Sequence, residues 1–210
     1  MEELMTGAEE AFLSAIHRDI PLDRSYLLRY ESFIPRLPGV PRPTLKELER
    51  CSAGEEGMRW LELGRHNGVE FAVLDLSSSS RTGTVKAASG CFIAAACLHE
   101  GVREVAVLSS GNKSTSVRAY ALRQGISVIS FVPKESAGKL RDLPERGTGA
   151  RDVIVLLEAG SDEELKAYGR RSASRMGIHC QPILSYYESV DQLRAAAYAE
   201  SLQQRPASTH

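Results

Sequence analysis

An α/β fold is what this sequence predicts, with a parallel sheet covered by helices on both faces. Two observations carry that expectation. Short apolar runs, Glu70 to Leu76, Glu104 to Leu108, Ser127 to Val132 and Val153 to Leu157, have the near-continuous hydrophobicity of strands buried on both sides. Helix-forming stretches of about 10–15 residues separate most of them, the rhythm of strands joined by crossover helices.

In chain order, residues 1 to 19 read as an amphipathic helix that stops before Pro21. Pro35 to Pro43 is extended linker, because each proline disfavours helix at the residue before it. Leu45 to Arg50 is a short helix, Glu70 to Leu76 a buried strand, and Ser77 to Ser80 a turn. Lys86 to Glu100 is a small-residue helix leading to the strand Glu104–Leu108. Ser114 to Gln124 is the next helix, leading to the strand Ser127 to Val132. After the strand Val153 to Leu157, the Ser161-Asp162-Glu163-Glu164 run opens a helix with a capping-box pattern and an acidic first turn. That helix reaches about Met176, with Gly177 as its C-cap. Ile183 to Tyr187 is a short strand, and Ser189 to Gln203 a final helix whose Ser189 and Gln192 form a second capping box. The chain therefore divides into an N-terminal helix and proline-rich linker (1–50), an α/β domain (51–204) and a polar, frayed tail (205–210).

Composition removes several function classes. With 210 residues, 42% hydrophobic and 25% charged, the chain can bury a real core. A net charge of −1 provides no electrostatic footprint for nucleic acid or an anionic membrane. No apolar run approaches the roughly 20 residues of a membrane span. The first residues, M-E-E-L-M-T-G-A-E-E, lack the basic flank and apolar stretch of a secretory signal. Cys51, Cys91, Cys97 and Cys180 form no C-x-x-C pair, and Cys91 and Cys97 lie among alanines as small hydrophobes. A reduced, cytoplasmic protein is expected. His66, His99 and His179 show no metal-ligand spacing, so no metal is expected, and Asp162 to Glu164 serve the helix start instead of acid–base chemistry.

Chemistry concentrates in two passages that read as strand–loop–helix units. The first is Ser80-Arg81-Thr82-Gly83-Thr84-Val85-Lys86, opening onto Ala87-Ala88-Ser89-Gly90-Cys91-Phe92. The second is Val107-Leu108-Ser109-Ser110-Gly111-Asn112-Lys113-Ser114-Thr115-Ser116, running from an apolar strand into Val117-Arg118-Ala119-Tyr120-Ala121. Gly111 permits a sharp turn, and the hydroxyls and N–H groups after it form the kind of helix start that receives an anion. A lysine amine can bond a carbonyl cofactor covalently. Read on their own, Lys86 is a solvated surface charge, Asn112 a turn residue and Ser114 to Ser116 helix caps.

Taken together, these passages resemble the threonine synthase-like, fold type II enzymes that use pyridoxal 5′-phosphate (PLP). T-G-T-V-K resembles the T-G-S-F-K motif of that family, and S-S-G-N-K-S its asparagine loop. The spacing between them is similar too, as are Ala119-Tyr120-Ala121 with Gly125 and the strand Ile126 to Pro133. Tyr26 to Pro38 resembles the approach segment of threonine synthases and cysteate synthases. The resemblance implies that Lys86 is the Schiff-base lysine and that Asn112 hydrogen-bonds the cofactor's phenolic oxygen. It implies that Gly111, Lys113, Ser114 and Thr115 receive the carboxylate of an amino-acid substrate. Lys86 and Asn112 are then expected at neighbouring strand carboxyl ends, facing one crevice. The implied activity is elimination or replacement on O-phosphohomoserine or a related hydroxy-amino acid.

Three features depart from the family. Ala87-Ala88 follow the lysine where Asp-Arg is usual, and Pro43-Thr44-Leu45 is a poor counterpart of the family's Thr-Pro-Leu loop. No glycine-rich loop for the cofactor phosphate follows a late strand; Arg146-Gly147-Thr148-Gly149-Ala150 precedes one instead. Lys113 stands where the family has a small residue and is expected to fill or recharge the carboxylate pocket. The family fold would thus lack much of its second half, and a homo-oligomer or a partner chain supplying the missing lobe is expected. A catalytically weak pseudoenzyme or half of a split enzyme, a cysteate synthase-like enzyme, and an α/β anion-binding protein without PLP are the alternatives.

Overall fold

A computed structural model describes residues 2–76, 78, 80–109, 111–140, 147–158, 160–178, 190 and 193–204. The expected strand at Ile183 to Tyr187, the second capping box at Ser189 and Gln192, His179, Cys180 and the tail lie outside the described residues, as do Ser77 and Ser79 of the serine turn. The helices are α1 (Glu2–Ser14), α2 (Tyr26–Arg29), α3 (Leu45–Ser52), α4 (Ala87–His99), α5 (Asn112–Ala121), α6 (Asp162–Arg175) and α7 (Leu193–Gln204). The strands are β1 (Arg59–His66), β2 (Val69–Asp75), β3 (Glu104–Leu108), β4 (Ser127–Pro133) and β5 (Asp152–Leu157).

Strands β3, β4 and β5 form a parallel sheet in that order, Glu104 aligned with Ser127 and Val128 with Asp152. The side-chain period of two divides them between two cores. Val105, Val107 and Val128 join the large core with α4, α5 and α7. Ala106, Leu108, Ile129 and Phe131 turn the other way and pack with Ala173 of α6. Gly169 lets α6 approach this second face, because a Cβ there would come within 2.1 Å of Leu108 Cδ2. The helices thus cover both faces, as the apolar strand runs require.

Helix α4 is the centre of the large core. Eleven consecutive residues, Ala87 to Cys97, are buried, the pattern of a helix that is apolar all round. Its alanines, glycine and cysteines keep it thin enough for α3 and α5 to pack closely on it. Burial pushes the Cys97 and Cys51 thiols up to about 12 and also raises the Cys91 thiol well above its ordinary value. All three cysteines are free and inert at neutral pH.

Several expectations are corrected. The first helix ends at Ser14 instead of continuing toward Pro21, and the backbone turns so that His17 N bonds Arg29 O at 3.0 Å. The approach segment folds into α2, which the prolines after it had obscured. Helix α3 begins at a reciprocal capping box between Thr44 and Glu47.

The largest correction concerns Glu70 to Leu76, expected as a buried strand of the main sheet. It is β2 of an antiparallel hairpin with β1, and most of its residues are exposed. The turn is Asn67-Gly68, both with positive φ (50° and 80°), as a two-residue hairpin turn demands. That Asn-Gly pair was the available sequence signal. Leu61 lies opposite Val73, and both are exposed along with Phe71 and Val69 of the same face.

Two buried ion pairs tie distant segments to this frame. Arg118 of α5 grips Asp152 of β5 through Nε at 2.9 Å and Nη2 at 2.7 Å, with both side chains at most 3% exposed. Arg29 holds Glu200 of α7 at 2.8 and 2.5 Å, and Tyr30 Oη donates to the same carboxylate at 2.6 Å. Burial pushes the Glu200 carboxyl up, but the hydrogen bonds from Arg29 and Tyr30 outweigh it and hold the group below the usual carboxylate range. Among the described residues, no helix is long and apolar enough to cross a membrane.

Each pin has a measurable consequence. Arg118→Met leaves Asp152 buried without its partner and is expected to cost about 3–5 kcal/mol in denaturant unfolding; a loss under 1 kcal/mol would show that the pair is not holding α5 to β5. For Glu200, whose folded pKa is depressed, the clamp stabilises above the unfolded carboxylate pKa and is lost as pH falls through the folded value. Urea unfolding of wild type and Glu200→Gln should therefore converge as the solution is acidified, and curves that stay parallel would contradict this assignment.

Candidate functional site

Lys86 is the N-cap residue of α4. The residues before it fold onto themselves: Gly83 N bonds Ser80 O at 3.1 Å, Thr82 and Thr84 share a hydroxyl hydrogen bond at 3.1 Å, and Lys86 N donates to Thr84 Oγ1 at 3.3 Å. Gly83 has a φ of +60°, which this turn requires. No strand of the parallel sheet leads into Lys86, because the preceding strand is β2 of the hairpin. The expectation that Lys86 follows a sheet strand is corrected accordingly. Helix α4 ends at His99, shortly before β3 begins at Glu104.

Asn112 is the first residue of α5, two positions ahead of the expected helix start at Ser114, and it follows the carboxyl end of β3. Gly111 caps the helix with a φ of +135°, a value L side chains rarely adopt, and no side chain caps it. Thr115 N returns to Gly111 O at 2.9 Å. Among the expected anion-loop residues, Gly111, Ser114 and Thr115 are buried, Lys113 is half-buried and Asn112 is exposed; Ser110 lies outside the described residues. The Ser114 and Thr115 hydroxyls are buried without a hydrogen-bond partner. Each such group costs roughly 1–3 kcal/mol while it stays unpaired.

Lys86 and the start of α5 meet through a close helix crossing. Ser116 Oγ donates to Lys86 O at 2.5 Å. At the same crossing Gly90 leaves no room for a side chain: a Cβ there would come within 2.5 Å of Ser116 Oγ and 2.6 Å of its backbone carbonyl. Asn112 and Ser116 are four residues apart on one helix, so they share a face. The face of α5 that carries Ser116 is therefore the one turned toward the start of α4.

A buried polar cluster anchors the other end of the lysine loop. Glu55 accepts from Tyr120 Oη, from Ser25 Oγ at 3.1 Å and from Arg81 N at 3.4 Å. Arg81 Nη2 also reaches Ala53 O at 2.7 Å. Burial raises the Glu55 carboxyl above its ordinary range despite these hydrogen bonds, and burial likewise raises the Tyr120 phenol. Glu55 was not evident from sequence. Nothing in its local pattern separates it from the surface acids around it, and only the tertiary approach of Tyr120 and Arg81 does so.

Other features are placed away from this chemistry. The Gly147 backbone packs against Gly125, and its N–H donates to Leu122 O at 2.7 Å, so Gly147 to Ala150 brace the turn before β4 at the amino end of the sheet. They form no phosphate cradle. A cavity of about 550 Å³ at the carboxyl ends of β4 and β5 is lined by Lys134, Glu135, Glu158 and Gly160. His99 pairs with Glu47 at 3.1 Å, a surface role. Among the described residues no group of His, Cys, Asp and Glu could hold a metal.

Gly90→Ala forces a methyl into backbone and is expected to cost about 1–3 kcal/mol of stability. Thermal unfolding with unchanged midpoint would show that α4 and α5 are not in this contact.

The fold has known counterparts. No family model matches the chain, and no curated protein sequence does. Among solved structures, the chain is similar to diaminopropionate ammonia lyase from Escherichia coli in complex with an aminoacrylate–PLP reaction intermediate. The TM-score is 0.54, with 18% identity over 79% of this chain and 49% of that one. The apo form of the Escherichia coli lyase aligns with a TM-score of 0.44 and 13% identity over 93% of this chain and 59% of that one. The chain thus spans about half the length of the lyase it resembles at 0.54. At this identity the shared property is the fold, which is the α/β architecture expected from the strand and helix pattern. Neither counterpart is a threonine synthase.

Proposed function

We propose that this chain is a PLP-enzyme-like protein of fold type II that acts on an amino acid. One observation supports the reading: Ser116 of α5 bonds the backbone carbonyl of Lys86, and Ser114 and Thr115 of the same helix keep buried hydroxyls unpaired. The donor set suits the group. A lysine amine stands at one helix start, and an exposed amide with an anion-accepting turn stands at the next.

In this reading Lys86 would hold the cofactor and move a proton at the substrate, and Asn112 would donate a hydrogen bond to the cofactor's phenolic oxygen. Gly111, Lys113, Ser114 and Thr115 take the substrate carboxylate, with Ser114 and Thr115 supplying hydroxyl donors. PLP supplies an electron sink for bond breaking next to the amino-bearing carbon. Glu55 and Tyr120 hold the loop that presents Lys86. The substrate assignment is a threonine synthase-like elimination or replacement on O-phosphohomoserine or a related hydroxy-amino acid. Loss of an amino group, the reaction in the structural counterpart's name, belongs to the same chemical class.

A second reading is a catalytically weak chain that requires a further lobe from a partner. It is favoured by β5, one of the two outer strands of the described parallel sheet, where Val153, Ile154 and Leu156 are exposed.

An absorbance scan of the purified protein before and after added PLP separates these readings from simple anion binding. A new visible band is expected, present in Lys134→Ala and absent in Lys86→Ala. A band that survives Lys86→Ala removes Lys86 from the site.

A further inference from the structure

The start of α5 is open, and the chain brings a second element to it. Gly111 contributes no capping side chain, and Asn112 to Ser114 head the helix with their backbone N–H groups. The Ser114 and Thr115 hydroxyls are buried and unpaired in the same turn. Because Cα–Cβ bonds tilt toward the helix N-terminus, these hydroxyls sit toward its open end. A fold that keeps two such groups at a helix start is suited to an acceptor-rich ligand.

The second element is the short 3₁₀ turn Lys134–Lys139, which follows β4 as α5 follows β3. Both therefore stand at the carboxyl ends of adjacent parallel strands, where open α/β sheets bind ligands. A Cβ built on Gly111 would lie 2.9 Å from Lys139 Cβ and 3.4 Å from its Cδ. The aliphatic stem of Lys139 thus runs across the Gly111 turn, and its ammonium, two bonds beyond Cδ, is tethered beside the start of α5. Lysine uses its stem in this way while the charged head stays available. Lys139 is exposed and has no hydrogen bond or ion pair among the described residues.

We infer that Lys139 is the cationic arm of an oxyanion site at the start of α5. The N–H groups of Asn112 and Ser114 and the two hydroxyls supply directional donors, and Lys139 supplies the opposing charge from a different strand end. The ligand group is a carboxylate or a phosphate, which share this chemistry. The inference extends the carboxylate role proposed for this loop but needs no cofactor at Lys86.

The test is a titration of the whole chain with inorganic phosphate and, separately, acetate, followed by amide NMR. The resonances of Asn112, Lys113 and Ser114 are expected to shift. Lys139→Met, which keeps the stem over Gly111 but removes the charge, should weaken binding roughly fivefold or more. Lys139→Arg should restore it. Lys134→Met, on the same turn but paired with Glu158 in solvent, should bind as wild type does. The anion that binds more tightly identifies the group the site takes. No shift at these amides, unchanged affinity in Lys139→Met, or an equal loss in Lys134→Met would each overturn the assignment. Lys86→Ala is expected to retain these shifts while losing the visible band with PLP, so failure of the cofactor reading and failure of this one are distinguishable.

Discussion

The crossing of α4 over α5 at Gly90 and Ser116 is the constraint on which the rest of the molecule depends. It sets the distance between two helices whose starts carry the candidate chemistry, and it does so through backbone contact. A side chain at position 90 would separate the helices and break the Ser116–Lys86 hydrogen bond. Small residues along α4 serve the same end. A helix buried on every side must be thin where it meets its neighbours, because protein interiors leave no slack for an extra methyl.

Polar interactions then hold this crossing in place on the sheet. Arg118 leaves α5 for Asp152 at the start of β5, and Arg29 reaches from the N-terminal segment to Glu200 of α7. Buried pairs of this kind contribute little net energy against apolar replacements. Their value here is geometric, since bidentate or multiply hydrogen-bonded partners admit one arrangement. Glu55 acts on the lysine loop in the same manner, tying Ser25, Arg81 and Tyr120 around one carboxyl.

The unpaired groups stand out against this satisfied background. Most buried polar side chains in the described core have partners, whereas Ser114, Thr115 and, in β4, Ser130 do not. Ser114 and Thr115 occur in the first turn of α5, which follows the glycine cap that the stem of Lys139 crosses. Helix starts are ordinarily closed by a serine, threonine or aspartate side chain, as Thr44 closes α3 and Ser161 receives Glu164 N in α6. Helices α2, α4 and α5 begin without a capping side chain, and of these α5 also keeps two buried hydroxyls unpaired in its first turn.

Local sequence determined the parts whose physics is local. The strands Glu104 to Leu108, Ser127 to Val132 and Val153 to Leu157 were legible from apolar runs, α6 from its Ser161 cap and Gly177 exit, and the two motif loops from glycine and hydroxyl spacing. Only tertiary structure decided where an apolar run would pair. Glu70 to Leu76 is as apolar as a core strand, yet Asn67-Gly68 folds it back on β1 before it can join the sheet, since a two-residue turn closes faster and at lower entropic cost than a distant pairing. Tertiary structure likewise decided that Lys139, unremarkable in sequence, lies across Gly111, and that Glu55 meets Tyr120. Such contacts join residues tens of positions apart, and no local periodicity or propensity encodes which surface charge the folded chain will bring to a given turn.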